Sequence, residues 1–356
     1  PSRTIPARED VFSNRRSGFE IRTSRLCHNV LLYNMMDEVP GGLALIDVLS
    51  LTYEQSPSMT LLTSVRSIAC RKAEDGSYVA EHMPPVNYRY SGHAWNSEVK
   101  ASEDTHFPVG CTFIDLFNEG LPGILHADPF SGEMLYRSNL GNARFDEARP
   151  VLQRPNGKRY SIVDLEGDGK KQFSDMTPSK GGFYEIGDPI GLELGDEGSI
   201  CPFRPFETLP SVSGGEKNIR LIDLNGDGKA EMLVSSDSVY MWYPSKGKKG
   251  YSSAEYAPMS IEGEDGPDVI FSDQTQTVFL ADMTGDGLVD IVRIRCSEVF
   301  YYPNLGYGRF GRKVLMDNSP VLSSPDEFDP SRVRLADIDG TGTADLIYLG
   351  DGMFKC

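Results

Sequence analysis

Long apolar runs are missing from this chain, and no stretch of its 356 residues approaches the length of a transmembrane helix. Positive charge is scarce as well. Lys and Arg number 35 against 52 Asp and Glu, a formal net charge of −17, and the pI is near 4.8. That balance excludes the broad basic surface needed to hold nucleic acid or an anionic membrane. The six cysteines (Cys27, Cys70, Cys111, Cys201, Cys296, Cys356) form no CxxC pair and have no histidine at zinc spacing. Isolated reduced thiols are therefore expected, since a core this large does not need a disulfide framework. Catalytic signatures are also missing. The five histidines (His28, His82, His93, His106, His126) make no HExxH, and neither a GxSxG elbow nor a P-loop is present. With no constellation of reactive side chains, the expectation is that the chain is not an enzyme.

Extended helical periodicity is lacking too, whereas 36 glycines and 23 prolines suit many short strands joined by turns. The first residue is Pro1, and the opening PSRTIPAREDVFSNRRSG is polar with no apolar signal core. Residues 1–16 therefore read as a polar N-terminal segment of a fragment or processed form.

What the chain does have is one acidic turn, repeated. The copies read IVDLEGDGKKQF, LIDLNGDGKAEM, LADMTGDGLVDI and LADIDGTGTADL, with a worn copy, FIDLFNEGLPGI, ahead of them. Their lead aspartates, Asp115, Asp164, Asp223, Asp282 and Asp337, stand 49, 59, 59 and 55 residues apart. Self-similarity at that period marks a repeat architecture. Each copy is a short apolar run, a turn whose glycines supply unusual backbone angles, and a second apolar run. An aromatic strand with its own turn follows: MLYRSNLGNARF, YMWYPSKGKKGY and VFYYPNLGYGRF. One period thus supplies about four antiparallel strands, the content of a propeller blade. The repeats lie near residues 113–125, 162–175, 221–234, 280–294 and 335–349. Strand-like runs at 43–53, 60–68 and 85–90 suggest one more blade. The expectation is an all-β propeller of about six four-stranded blades over residues 17–356, the last blade stopping after about two strands.

The turns also carry candidate metal ligands. Asp223, Asn225, Asp227 and Glu231 occupy positions 1, 3, 5 and 9 of their loop, as do Asp282, Thr284, Asp286 and Asp290, and Asp337, Asp339, Thr341 and Asp345. Alternate oxygen donors at that spacing suit a structural Ca²⁺. Position 12 is Val234, Arg293 or Tyr348 rather than glutamate, so these are not EF-hand loops. The same side chains also cap turns by accepting backbone N–H bonds without any metal, and the sequence leaves both readings open. Gln172 and Gly123 stand at position 9 of the other two loops and favour metal less. Trp242, Tyr243, Tyr301 and Tyr302 read as blade packing rather than a sugar platform, and Lys246–Lys249 as a solvated tip.

The acidic repeats resemble the FG-GAP/VCBS type of integrin-like propellers and fungal lectins. Longer stretches are more specific: FEIRTSRLCHNVLLYN, LTYEQSPSMTLLTSV, NEGLPGIL, PFRPFETLP, FYYPNLGYGRFGRKVLMDNSP and DEFDPSRVRLADIDGTGTADLIYLG. They are similar to the B component of insecticidal Tc toxin complexes, at the end of its SpvB-type segment and in its TcdB middle/N-terminal region, over nearly all of residues 17–350. The resemblance implies binding rather than catalysis. In such toxins the B component joins a C component in an RHS-repeat shell around a cytotoxic effector. The propeller closes that shell, docks on the pore-forming A subunit and opens for the effector. It further implies a cytoplasmic protein secreted as part of a toxin complex, without direct membrane insertion. No RHS shell, and no ADP-ribosyltransferase domain of the kind found in some SpvB-type proteins, is seen in these residues. A stand-alone FG-GAP-type propeller binding carbohydrate or a cell-surface protein is the alternative.

Overall fold

Short β-branched and aromatic runs separated by glycine-rich turns pair here with their nearest sequence neighbours, which keeps every sheet local in the chain. The computed structural model describes residues 7–35, 42–57, 59–91, 108, 110–128, 130–141, 144–151, 160–178, 180–186, 203–212, 218–236, 239–268, 271, 277–337, 341–350 and 353–355. Among the described residues there is no α-helix, only two three-residue 3₁₀ turns, and no helix is long and apolar enough to cross a membrane.

The acidic-turn repeats form five antiparallel sheets. The first has Thr112–Ile114, Gly123–Ala127, Met134–Arg137 and Arg149–Pro150; the second has Ser161–Val163, Gln172–Asp175, Gly182–Glu185 and Arg204–Pro205. The third comprises Ile219–Ile222, Glu231–Ser235, Val239–Tyr243 and Glu255–Pro258, and the fourth Val278–Ala281, Asp290–Ile294, Val299–Tyr302 and Val314–Leu315. The fifth shows three strands: Val333–Ala336, Asp345–Gly350 and Met353–Lys355. In every sheet the acidic turn joins the first strand to the second.

Because strand side chains alternate between faces, each inner strand serves two seams. Met232 and Val234 pack toward the second repeat, while Leu233 packs with Ile291 and Tyr302 of the fourth. Leu116, Leu125 and Tyr136 of the first repeat meet Phe173 of the second. Val292 and Ile294 of the fourth meet Val333 and Tyr348 of the fifth. Sheets stacked face to face in chain order, each seam with its own apolar cluster, make a propeller.

The upstream strands are built differently from these blades. Leu43–Gln55 and Thr60–Lys72 are each 13 residues long and belong to a sheet with Asn29–Met35, Tyr78–His82 and Val86–Asn87. That sheet has no acidic turn to shorten its strands, and Asn29–Met35 is exposed along its whole length. Ala7–Asn14, inside the segment read as polar, pairs with Ile21–Arg25 as a hairpin.

Burial sets the expected cost of truncation. Leu233 is fully buried in the seam between the third and fourth repeats, whereas Leu31 on the upstream sheet is half exposed. In urea denaturation, Leu233→Ala should lose about 3 kcal/mol and Leu31→Ala under about 1 kcal/mol. Equal losses would contradict this placement of the core.

Candidate functional site

Reversing the chain from a half-exposed first strand into a buried second strand leaves a run of backbone N–H groups that need acceptors. The lead aspartate supplies them. Asp223 accepts from Asn225 N and Gly226 N at Oδ1 (3.2 and 2.6 Å) and from Gly228 N at Oδ2 (2.8 Å). Asp282 does the same for Thr284, Gly285 and Gly287 (3.2, 2.7 and 2.7 Å). Asp164 caps Gly167 and Gly169 at 2.8 and 2.6 Å. Asp115 caps Glu119 and Gly120, and Asp337 caps Thr341 and Gly342. The glycines at the third repeat's fourth and sixth positions, Gly226 and Gly228, have φ of 82° and 87°, angles that side-chain-bearing residues resist.

Position 3 and position 5 side chains extend the same pattern. Asn225 accepts from Asp227 N (2.8 Å), and its amide donates to Glu231 Oε1 (3.3 Å). Thr284 donates weakly to Asp282 (3.4 Å). Asp227 caps Lys229 N and Asp286 caps Leu288 N, at 2.9 and 3.0 Å. Thr341 pairs with Thr343 at 3.1 Å. Asp339 lies outside the described residues.

Position 9 closes the turn from behind. Its side chain accepts the N–H of the residue just after the lead aspartate: Leu165 N to Gln172 (3.0 Å), Leu224 N to Glu231 (2.8 Å) and Met283 N to Asp290 (2.8 Å). Asp290 uses its other oxygen for Asn304 N, at 2.7 Å. Gln172, Glu231 and Asp290 are all fully buried. Burial, reinforced by neighbouring carboxylates, pushes Glu231 and Asp290 each up to about 7. In the first repeat position 9 is Gly123, and the hydroxyl of Tyr136 takes the bond from Leu116 N instead (3.4 Å). A side chain at position 123 would collide with that hydroxyl.

The site residues singled out by spacing are therefore brought together within each turn, and the contacts they make are backbone caps. Each described lead aspartate uses both carboxylate oxygens to accept backbone N–H bonds. Among the described residues no group of three or more His, Cys, Asp or Glu is arranged to hold a metal. Trp242, Tyr243 and Tyr302 are buried in the seams. Lys246–Lys249 is not a solvated tip, because Lys248 reaches Glu185 at 2.8 Å and its backbone N–H donates to Glu166.

Consecutive turns also touch one another. Gly169 lies against Asn118, Gly167 against the backbone of Gly228, and Gly285 against Gly342 and Thr343. Ala344 N donates to Asp282 O at 2.8 Å. Between the second and third sheets lies a cavity of about 610 Å³ bordered by Ser174, Asp175, Val212, Arg220 and Met232.

Comparison with known proteins fits this geometry. The family model for the Salmonella virulence plasmid 65kDa B protein, SpvB, matches residues 2–36, and that for the FG-GAP-like repeat matches residues 223–293. The mono(ADP-ribosyl)transferase SpvB of Salmonella typhimurium is 41% identical over 64 residues, 18% of this chain and 11% of that protein. Among solved structures, the Photorhabdus luminescens Tc holotoxin pore aligns with 97% of this chain and 16% of its own, at 27% identity and a TM-score of 0.68. A crystal structure of TcdB2-TccC3 aligns with 96% of this chain and 19% of its own, at 21% identity and a TM-score of 0.42. The chain is Tc toxin B-component-like, and it spans a small fraction of the length of the proteins it matches. One expectation is corrected: missing motifs were read as meaning no enzyme, yet the matching Salmonella protein is named for ADP-ribosyl transfer. That likeness covers 18% of this chain and 11% of the Salmonella protein, so missing motifs here decide nothing about the activity of the whole protein.

Two expected outcomes follow from the turn. For a buried acid whose folded pKa is raised, both states are protonated below about pH 4, and the unfolded chain ionises first as pH rises. Glu231 and Asp290 should each make the fold less stable between about pH 4 and about pH 7, by on the order of 4 kcal/mol, with no further change above. Urea denaturation of Glu231→Gln and Asp290→Asn should show a flatter pH slope than the native chain, and an unchanged slope would contradict the burial assigned here. Gly123→Ala should destabilise by about 1–3 kcal/mol through overpacking against Tyr136. That loss should shrink in part in the Tyr136→Ala background, which removes the ring and leaves the contact with the Arg137 carbonyl, as a double-mutant cycle would show.

Proposed function

We propose that this chain is the propeller segment of a Tc-type toxin B component, which docks on a pore-forming A subunit and gates the passage of an effector. The effector would lie in a shell formed with the C component, outside these residues. The observation that carries the reading is the alignment of 97% of the chain with the holotoxin pore at a TM-score of 0.68. The SpvB match at residues 2–36, ahead of the FG-GAP match at 223–293, supports it. Secretion as part of the toxin complex belongs to the same reading.

The physics of the fold suits a gate. Strand ladders run within sheets, and the seams between repeats rest chiefly on separate apolar clusters with a few hydrogen bonds across them. One seam can therefore part while the strands on either side keep their partners. The cavity between the second and third repeats leaves fewer packed atoms to resist parting there.

Docking is tested by biolayer interferometry of the immobilised chain against a Tc pore-forming A subunit. A dissociation constant of about 1 µM or tighter is expected. No binding up to about 50 µM, with circular dichroism showing intact β structure, would sink the docking assignment.

A further inference from the structure

The tip of the N-terminal hairpin sits among the acidic turns of two repeats far along the chain. Its turn is closed by Gly18 N donating to Arg15 O at 2.9 Å, with Gly18 at φ 78°. Arg15 N donates to Asp286 Oδ2 at 3.2 Å, across 271 residues of sequence. Gly18 O accepts from Arg309 at 2.9 Å, and the Tyr307 ring lies beside Gly18.

Arg16 is the centre of the contact. The nearest atoms over Gly226 in the third turn are the Arg16 side chain, its Cγ 2.8 Å from where a Cβ would stand, and Arg16 is again nearest over Gly287 in the fourth turn. The other neighbouring turns described above meet backbone to backbone or through one small side chain. Between turns three and four an arginine is interposed. Those two turns carry Asp223, Asp227, Asp282 and Asp286 in a chain of net charge −17. Arg15's own guanidinium stays within the hairpin, 3.8 Å from Glu20.

The hairpin's other end is tied elsewhere. Thr60 donates to Asp10, and Glu9 N donates to Gln55, both on the long strands of the upstream sheet. The hairpin thus spans from that sheet to the seam between the third and fourth repeats.

We propose that residues 7–25 are a latch whose Arg16 side chain lies as a wedge across the third and fourth acidic turns, so that this seam cannot part unless the tip withdraws. This inference does not depend on the docking partner.

Hydrogen–deuterium exchange on the full chain tests it. In Arg15→Ala/Arg16→Ala, amides of residues 14–18, 226 and 287 should exchange about tenfold faster or more, with the second sheet unchanged. The Arg15→Lys/Arg16→Lys chain should retain most of the protection. Arg16→Met, similar in length and uncharged, should also retain most of it. Unchanged protection at the tip in the alanine variant would overturn the latch. If the alanine variant loses protection throughout, Arg309→Ala, which removes the bond to Gly18 O, decides: faster exchange at residues 14–18 supports the latch and unchanged exchange there overturns it.

Discussion

The capped acidic turn is the constraint on which everything else rests. A half-exposed strand and a buried one are joined in each repeat by a reversal too tight for its amides to bond to one another, and an unmet buried N–H costs about 1–3 kcal/mol. One carboxylate placed at the start of the turn accepts two or three of them, as Asp223 and Asp282 show. The side chain at position 9 then fixes the residue after that carboxylate, which plugs the core: Leu165 and Leu224 are fully buried beside the acceptors they bond. Cap, plug and strand register are thus set by the same few atoms. Because position 9 is also the first or second residue of the inner strand, the turn hands its geometry directly to the sheet.

That solution has an electrostatic cost. Repeating an acidic cap at a fixed place in each sheet brings carboxylates of neighbouring turns together along one side of the molecule. Lysines answer part of it: Lys248 bonds Glu185, and Lys229 lies 3.9 Å from Glu166. These pairs join the second and third repeats and are worth little singly, since they are partly exposed. Their value lies in fixing which turn faces which, as does the carbonyl of Leu224, which accepts from Tyr307 N of the fourth repeat at 3.2 Å. The apolar seams stabilise the stack, and the polar contacts set its register.

Much of this was legible in the residues. The period, the lead aspartates and the strands flanking them followed from spacing alone, because a repeat displays its own constraints several times over. The burial of Trp242 and Tyr302 followed from strand alternation. What escaped depends on pairing that no local pattern encodes. Tyr136 replaces the missing position-9 side chain only because its strand registers Tyr136 opposite Leu125, two residues beyond Gly123. The glycine was a visible departure, but its compensation lay 13 residues away. Arg15 and Arg16 sit in a polar stretch that resembles a free terminus, and only the folded chain brings Arg15 to Asp286 and Arg16 over Gly226 and Gly287. The upstream strands share blade-like composition yet run to 13 residues, since nothing in composition limits strand length where no turn interrupts.

Comparing position 9 across the repeats separates what the turn needs from what it carries besides. A tyrosine hydroxyl, a glutamine amide, a glutamate and an aspartate all accept the same N–H. The turn therefore needs an acceptor there, and charge is not part of the requirement. Negative charge at that position in the third and fourth repeats is an added burden, since burial raises the pKa of both Glu231 and Asp290. These are also the two turns between which an arginine side chain is interposed. There the carboxylate's second oxygen accepts a further N–H, from Asn225 in the third repeat and Asn304 in the fourth, which a single amide oxygen with a donor beside it does not offer. Laying an arginine from the other end of the chain across the same two turns ties that seam to the N-terminal hairpin.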